Sequence, residues 1–228
     1  LIKNAKKSIY ITTWAFYDDI TGTDALNMLV KKHNEGIDVK IIVDGNIIKS
    51  HGVSIIKRME QAGIRVIEHK EKQRKSDIWH AKMIVIDNEY AIVGGMNFGD
   101  PYSHKDPSGP KWRDTDVLFT GTAVAKASEI FAGIWNDEVK NNYPQFQKLP
   151  ENFERSMPNG NTMISFSFSN PPEADGSPIL SAIVKAIRGA KHKINIENAY
   201  FVPIPVLTEV LLEARARGVE VNIFTNSK

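Results

Sequence analysis

His80, Lys82 and Asp87 are spaced His-x-Lys-x4-Asp within Trp79-His80-Ala81-Lys82-Met83-Ile84-Val85-Ile86-Asp87, and a Gly94-Gly95-Met96-Asn97 turn follows. A phosphodiester is anionic, so its attacker must be neutral and its nonbridging oxygens need donors. Imidazole meets the first demand near neutral pH and also leaves well. Lys82 and Asn97 meet the second. Gly94 and Gly95 let backbone approach a phosphate closely, and the Gly95 amide adds a donor. The constellation predicts a phosphoryl centre with a covalent intermediate on His80.

A catalytic histidine also needs an acceptor on its second nitrogen. Asp114, in Arg113-Asp114-Thr115-Asp116-Val117, is the first candidate, and Asp116 on the same strand face is the alternative. Asp87 completes the spacing. Its place where the strand turns reads as a structural charge that pairs across the sheet or caps the turn.

These side chains need strands to hold them. Side chains alternate along a strand, so a strand over Ala81–Ile86 would project His80 and Lys82 from one face. Tyr90–Val93 returns across Asp87-Asn88-Glu89 as a hairpin. Upstream, the patterns predict a helix over Asp24–Asn34, a helix over Val53–Ala62 and a strand over Ile64–Ile67. Downstream, Asp100–Lys111 is a polar loop with three prolines, Asp114–Phe119 a strand and Thr122–Glu138 a helix. Met163–Phe168 alternates as a strand does. Strands alternating with helices give an α/β fold with a mixed sheet flanked by helices.

An internal repeat organises the whole. Ile2-Lys3-Asn4-Ala5-Lys6-Lys7-Ser8-Ile9-Tyr10-Ile11 matches Ile187-Arg188-Gly189-Ala190-Lys191-His192-Lys193-Ile194-Asn195-Ile196. Aromatic tips follow, Trp14-Ala15-Phe16 and Ala199-Tyr200-Phe201, and then a helix (Pro205–Arg217 in the second copy). Gly36-Ile37-Asp38-Val39-Lys40-Ile41 and Gly218-Val219-Glu220-Val221-Asn222-Ile223 close each copy with a helix cap and a strand. The expected organisation is a first repeat with the motif over 1–140, a connection over 141–178, and the start of a second repeat over 179–228. His80 lies about 44 residues past Gly36, so its counterpart would fall near position 262, beyond Lys228. The expectation is a tandem repeat whose second copy is incomplete and whose second motif is missing.

Composition narrows the chemistry. The 228 residues are 42% hydrophobic and 25% charged with a net charge of +2, which is globular and neutral towards polyanions overall. No cysteine is present, which excludes thiolate nucleophiles, thiolate metal sites and disulfides. No apolar run approaches the roughly 18 residues of a membrane span. The six histidines lack zinc-ligand spacing, so the reaction is expected to need neither metal nor cofactor. Among them His69, beside Glu68 near a strand end, reads as a surface residue.

On these residues the chain resembles the phospholipase D superfamily, whose His-x-Lys-x4-Asp signature His80, Lys82 and Asp87 match. The family's downstream Gly-Ser-x-Asn is met by Gly94, Gly95, Met96 and Asn97, with Gly in place of Ser. Within the superfamily the chain is most similar to bacterial cardiolipin synthases and phosphatidylserine synthase-like proteins. Val93–Asp100, Arg113–Val117, Thr120–Val124, Ala199–Pro203 and Phe224-Thr225-Asn226-Ser227 carry that likeness. The resemblance implies two motifs, in tandem or from a dimer. One histidine forms a phosphohistidine while the other protonates the leaving alcohol and then activates water or an acceptor alcohol. This chain alone would be nearly inactive.

Lys70, Lys72, Arg74 and Lys75 precede the motif as a solvated loop or an electropositive rim for anionic headgroups or nucleic acid. Trp79, Phe98, Tyr102 and Trp112 read as an aromatic collar at a bilayer interface or as core. The foremost expectation is a membrane-associated bacterial enzyme that transfers or hydrolyses phospholipids. A nuclease using the same step, with nucleic acid as its partner, is the alternative, and an inactive scaffold is the third.

Overall fold

A computed structural model describes residues 1–70, 78–157, 160–169 and 177–226. Two compact units emerge, Leu1–Phe166 and Ser167–Lys228.

The first unit is built on a six-stranded sheet. Its strands are β1 (Ser8–Thr13), β2 (Asp38–Asp44), β3 (Arg65–His69), β4 (Met83–Ile86), β5 (Tyr90–Gly94) and β6 (Asp116–Thr120), in the order β3-β2-β1-β4-β5-β6. β1 pairs in parallel with β2 and β2 with β3, whereas β4, β5 and β6 add antiparallel neighbours. The mixed sheet follows from the connections. Helices α1 (Ile20–Asn34) and α2 (Val53–Gln61) cross over between parallel strands, and a tight hairpin joins β4 to β5. Asp87 and Asn88 turn that hairpin with φ of 57° and 56°, a backbone region in which Asp and Asn are several-fold enriched.

Each sheet face buries a different set of residues. Ile9, Ile11, Val39, Ile41 and Val43 face Leu26 and Leu29 of α1 and Ile55, Ile56 and Met59 of α2. On the opposite face lies α4 (Ala123–Asn141), where Tyr10 stacks on Phe131 at 5.1 Å and Trp135 stacks on Phe146 at 5.7 Å. Lys40 is buried there beneath Tyr10 and Trp135 with Asp38 as its counterion. Part of the segment expected to link the halves folds back onto this unit: Gln147 and Leu149 accept from Trp135 and Asn136.

The second unit contains α5 (Pro178–Gly189), β7 (Lys193–Glu197), α6 (Pro205–Ala216) and β8 (Glu220–Phe224) around Ile187, Val210, Leu211, Ala214 and Val219. β7 and β8 pair in parallel from Lys193↔Glu220 onward, as β1 and β2 do from Ser8↔Asp38. Those residues are the ones that the internal repeat aligns. The two ladders share one register.

Several expectations change. β4 begins at Met83, not Ala81, so His80 and Lys82 lie on an extended approach to the strand. β6 covers Asp116–Thr120, which leaves Asp114 outside it. The Asp100–Lys111 loop opens with a short helix, α3 (Asp100–Ser103), and α1 starts at Ile20 because Asp19 caps it through the Gly22 amide at 2.8 Å. Among the described residues Met163–Phe168 forms no strand, and Met163 is 97% exposed. His69 is not a free surface residue: its Nδ1 stands 2.8 Å from Glu138 of α4 and its ring 4.6 Å from Trp79. Among the described residues no helix is long and apolar enough to cross a membrane. Lys72, Arg74, Lys75 and Ser227 lie outside the described residues.

Candidate active site

The site forms where the ends of β1 and β2, the approach to β4 and the turn after β5 meet. Trp79 anchors the approach. It is buried, its amide donates to Asp44 at the end of β2 (2.6 Å), and its indole N–H donates to Thr12 of β1 (2.6 Å). His80 follows at the exposed rim, its ring edge-on to Trp14 at 5.5 Å. Lys82 is 8% exposed and turns back so that Nζ donates to the His80 carbonyl at 2.8 Å, while lying 5.9 Å from the Trp14 ring centre. Histidine and lysine therefore share one aromatic wall, although neither sits within a strand.

Electrostatics set both protonation states. Partial burial and the Lys82 charge hold the His80 imidazole below the ordinary histidine pKa, against the pull of the Asp44 carboxylate. Burial lowers the Lys82 pKa from 10.5 to about 8, and Asp114 and Asp116 oppose that fall. Near neutrality the pair is a neutral imidazole beside an ammonium.

Asp114 and Asp116 explain the glycines. A Cβ on Gly94 would overlap the Asp116 carboxylate, and one on Gly95 would overlap that of Asp114. The Gly95 position, where the resemblance implies a serine, is filled by Asp114 instead. Asp114 accepts from the Thr115 amide (2.7 Å) and Asp116 from the Met96 amide (3.2 Å). Among the described residues no hydrogen bond joins the His80 ring to either carboxylate. Both bear on Lys82.

Asn97 is buried and its amide is engaged. Oδ1 accepts from Thr13 (3.1 Å) and the Ala15 amide (3.3 Å), and Nδ2 donates to Tyr102 (2.8 Å). This leaves one N–H on Nδ2 for a ligand. Asn97, Lys82, Gly94, Asp116, Thr13 and Tyr102 share a cavity of about 240 Å³.

Asp87 stands apart, at the far end of β4. Its carboxylate accepts from the amides of Lys6 (2.8 Å), Lys7 (2.7 Å) and Ser8 (2.9 Å), which ties the hairpin to the start of β1. Of the four aromatic residues near the motif, Trp79 is core and Phe98 stacks on buried Phe16 at 4.3 Å. Trp112 is exposed and meets Tyr102 edge-on at 5.1 Å. Lys70 is exposed.

Asp44, Trp14 and His51 are site neighbours that spacing did not reveal. Asp44 precedes a Gly-Asn turn at a strand end, which reads as ordinary punctuation. Trp14 appeared only as an aromatic tip. His51 lies against Trp14 (6.2 Å) and Tyr17 (5.3 Å). Among the described residues no cluster of three or more His, Asp or Glu side chains is placed to hold a metal.

Comparison with known proteins adds the lineage. The fold matches the crystal structure of a phosphatidylserine synthase from Haemophilus influenzae with a TM-score of 0.70 and 17% identity, over 98% of this chain and 57% of that one. The family model for the cardiolipin synthase, phospholipase D-like domain matches residues 1–135, and the chain belongs to that family. It is 28% identical over 233 residues to the major cardiolipin synthase of Bacillus subtilis, covering 100% of this chain and 48% of the relative. It is 29% identical over 236 residues to a cardiolipin synthase of Oceanobacillus iheyensis, covering 100% and 47%. The chain spans about half the length of the curated relatives it matches.

Proposed function

We propose that this chain supplies the first half-site of a phospholipase D-type phosphatidyltransferase, one that joins phosphatidylglycerol units through a phosphohistidine. The observation that carries the reading is His80 at the rim with Lys82 bonded to its carbonyl, both against Trp14, in surroundings that favour the neutral imidazole. A ring nitrogen of His80 attacks phosphorus, and the bond from phosphorus to the leaving alcohol oxygen breaks. That oxygen takes its proton from an acid on the second motif. The acceptor alcohol then attacks the phosphoryl group, gives its proton to the same group and returns His80 neutral. Lys82 and the free N–H of Asn97 donate to the nonbridging oxygens, with the Gly95 amide beside them. Asp114 is the proposed acceptor for the second nitrogen of His80, and Asp87 is assigned to holding the hairpin.

The second motif comes from the remainder of the second repeat or from a second copy. The organisation proposed is a first repeat over 1–140, a connection over 141–178 and the second repeat from 179. The substrate implies work at a bacterial membrane surface, reached peripherally or through a segment outside this chain. The relatives named as cardiolipin synthases support the choice of lipid.

The test is the full-length protein incubated with phosphatidylglycerol vesicles. Cardiolipin and free glycerol are expected. Absence of cardiolipin, phosphatidic acid and any exchanged phospholipid would contradict the reading, and plasmid cleavage in EDTA that depends on His80 would replace it with a nuclease.

A further inference from the structure

We propose that Asp44 is a positioning residue for His80, acting through the backbone of Trp79. The inference rests on the reading of His80 as the nucleophile.

Asp44 has no exposed surface. A buried carboxylate persists only where donors satisfy it, and here three amides do. Oδ1 accepts from Asn46 and Ile47 at 2.8 Å each, which fixes the turn at the end of β2. Oδ2 accepts from Trp79 at 2.6 Å, across 35 residues of sequence. The same carboxylate thus locks one rigid strand end to the residue before the nucleophile. Trp79 is held twice more. Its indole donates to Thr12, and its ring lies on His69, which Glu138 of α4 holds from behind. Three anchors on β1, β2 and β3 converge on one residue, one on its amide and two on its side chain. Only the peptide unit between Trp79 and His80 separates that fixed point from the imidazole.

Charge points the same way. The groups that act on His80 are Lys82 on its own segment and Asp44 from β2; beyond the Trp14 wall lies His51, with Tyr17 against it. Asp114 and Asp116 act from behind Lys82. Of these, Asp44 is the carboxylate that favours the protonated imidazole, against burial and Lys82.

Asp44→Asn keeps the size of the side chain but sets an amide N–H or a weaker neutral acceptor against the Trp79 amide. In the full-length protein acting on phosphatidylglycerol vesicles, kcat should fall about 100-fold with KM little changed, as expected when a reacting group moves by about 1 Å. The rate of His80 modification by diethyl pyrocarbonate, followed by peptide mass spectrometry, should reach its half-maximum at lower pH than in the wild type. A purely structural Asp44 would lower the melting temperature and leave both readouts of the folded protein unchanged, which overturns the inference. Thr12→Val removes a second anchor with little change in volume. It should cost about tenfold in kcat, so full kcat in Thr12→Val overturns the inference even if Asp44→Asn does not fold. The underlying reading fails separately, if His80→Ala remains active in the same assay.

Discussion

Lys82 turns its ammonium onto the carbonyl of His80, 2.8 Å away, so the cation proposed to polarise the phosphate also braces the backbone of the proposed nucleophile. The arrangement is costly to the fold. A lysine moved from 10.5 to about 8 has lost about 3 kcal/mol of preference for its charged form. The unfolded chain binds that proton more tightly, so stability should rise with pH between about 8 and about 10.4. Lys82→Met should therefore stabilise the protein by about 1–3 kcal/mol in urea denaturation at pH 7 while abolishing transfer.

The same pair predicts a bell-shaped pH profile. Activity should climb as His80 loses its proton, below the usual histidine value, and decline near pH 8 as Lys82 loses its own. Lys82→Arg keeps the charge at all accessible pH, so kcat should fall but the decline near pH 8 should vanish. A decline that stays at pH 8 in this variant would assign it to another group.

Asp87 should behave as structure. Asp87→Ala leaves the amides of Lys6, Lys7 and Ser8 without their acceptor and should cost about 2–3 kcal/mol of stability. The kcat of the folded enzyme should stay within about twofold of wild type. His80→Ala should do the reverse, with an unchanged melting temperature and no turnover. Thermal unfolding beside a lipid-transfer assay separates the two.

Gly95 and Asp114 should be energetically coupled. Gly95→Ala sets a methyl against the outer end of the Asp114 side chain, which must turn away, and should destabilise the protein by about 1 kcal/mol. Asp114→Gly should relieve part of that loss. A double-mutant cycle should show coupling above about 0.5 kcal/mol, and strict additivity would mean the two do not touch.

The repeat and the motif were legible because both are local. Helix-Gly-strand punctuation fixes where Gly36 and Gly218 fall, and the shared β1–β2 and β7–β8 register follows from it. What escaped depends on partners far along the chain. His69 sits between Glu68 and Lys70 and looks exposed, yet Glu138 of α4 arrives to pair with it. Ala81 has the pattern of a strand residue, but the ladder with β1 begins at Met83, after Trp79 has given its amide to Asp44. Asp114 packs against Gly95 and bears on Lys82, neighbours that its place in the motif does not announce. Met163–Phe168 alternates without pairing, since alternation states a preference and supplies no neighbouring strand.

The central claim is that His80 carries the phosphoryl group, and trapping the adduct tests it most directly. Full-length protein turning over phosphatidylglycerol, quenched in alkali and digested, should yield a peptide containing His80 with a phosphatidyl adduct on the imidazole. The adduct should be lost on brief acid treatment and absent from His80→Ala. Steady turnover with an adduct on a different residue, and none on His80, would contradict the account.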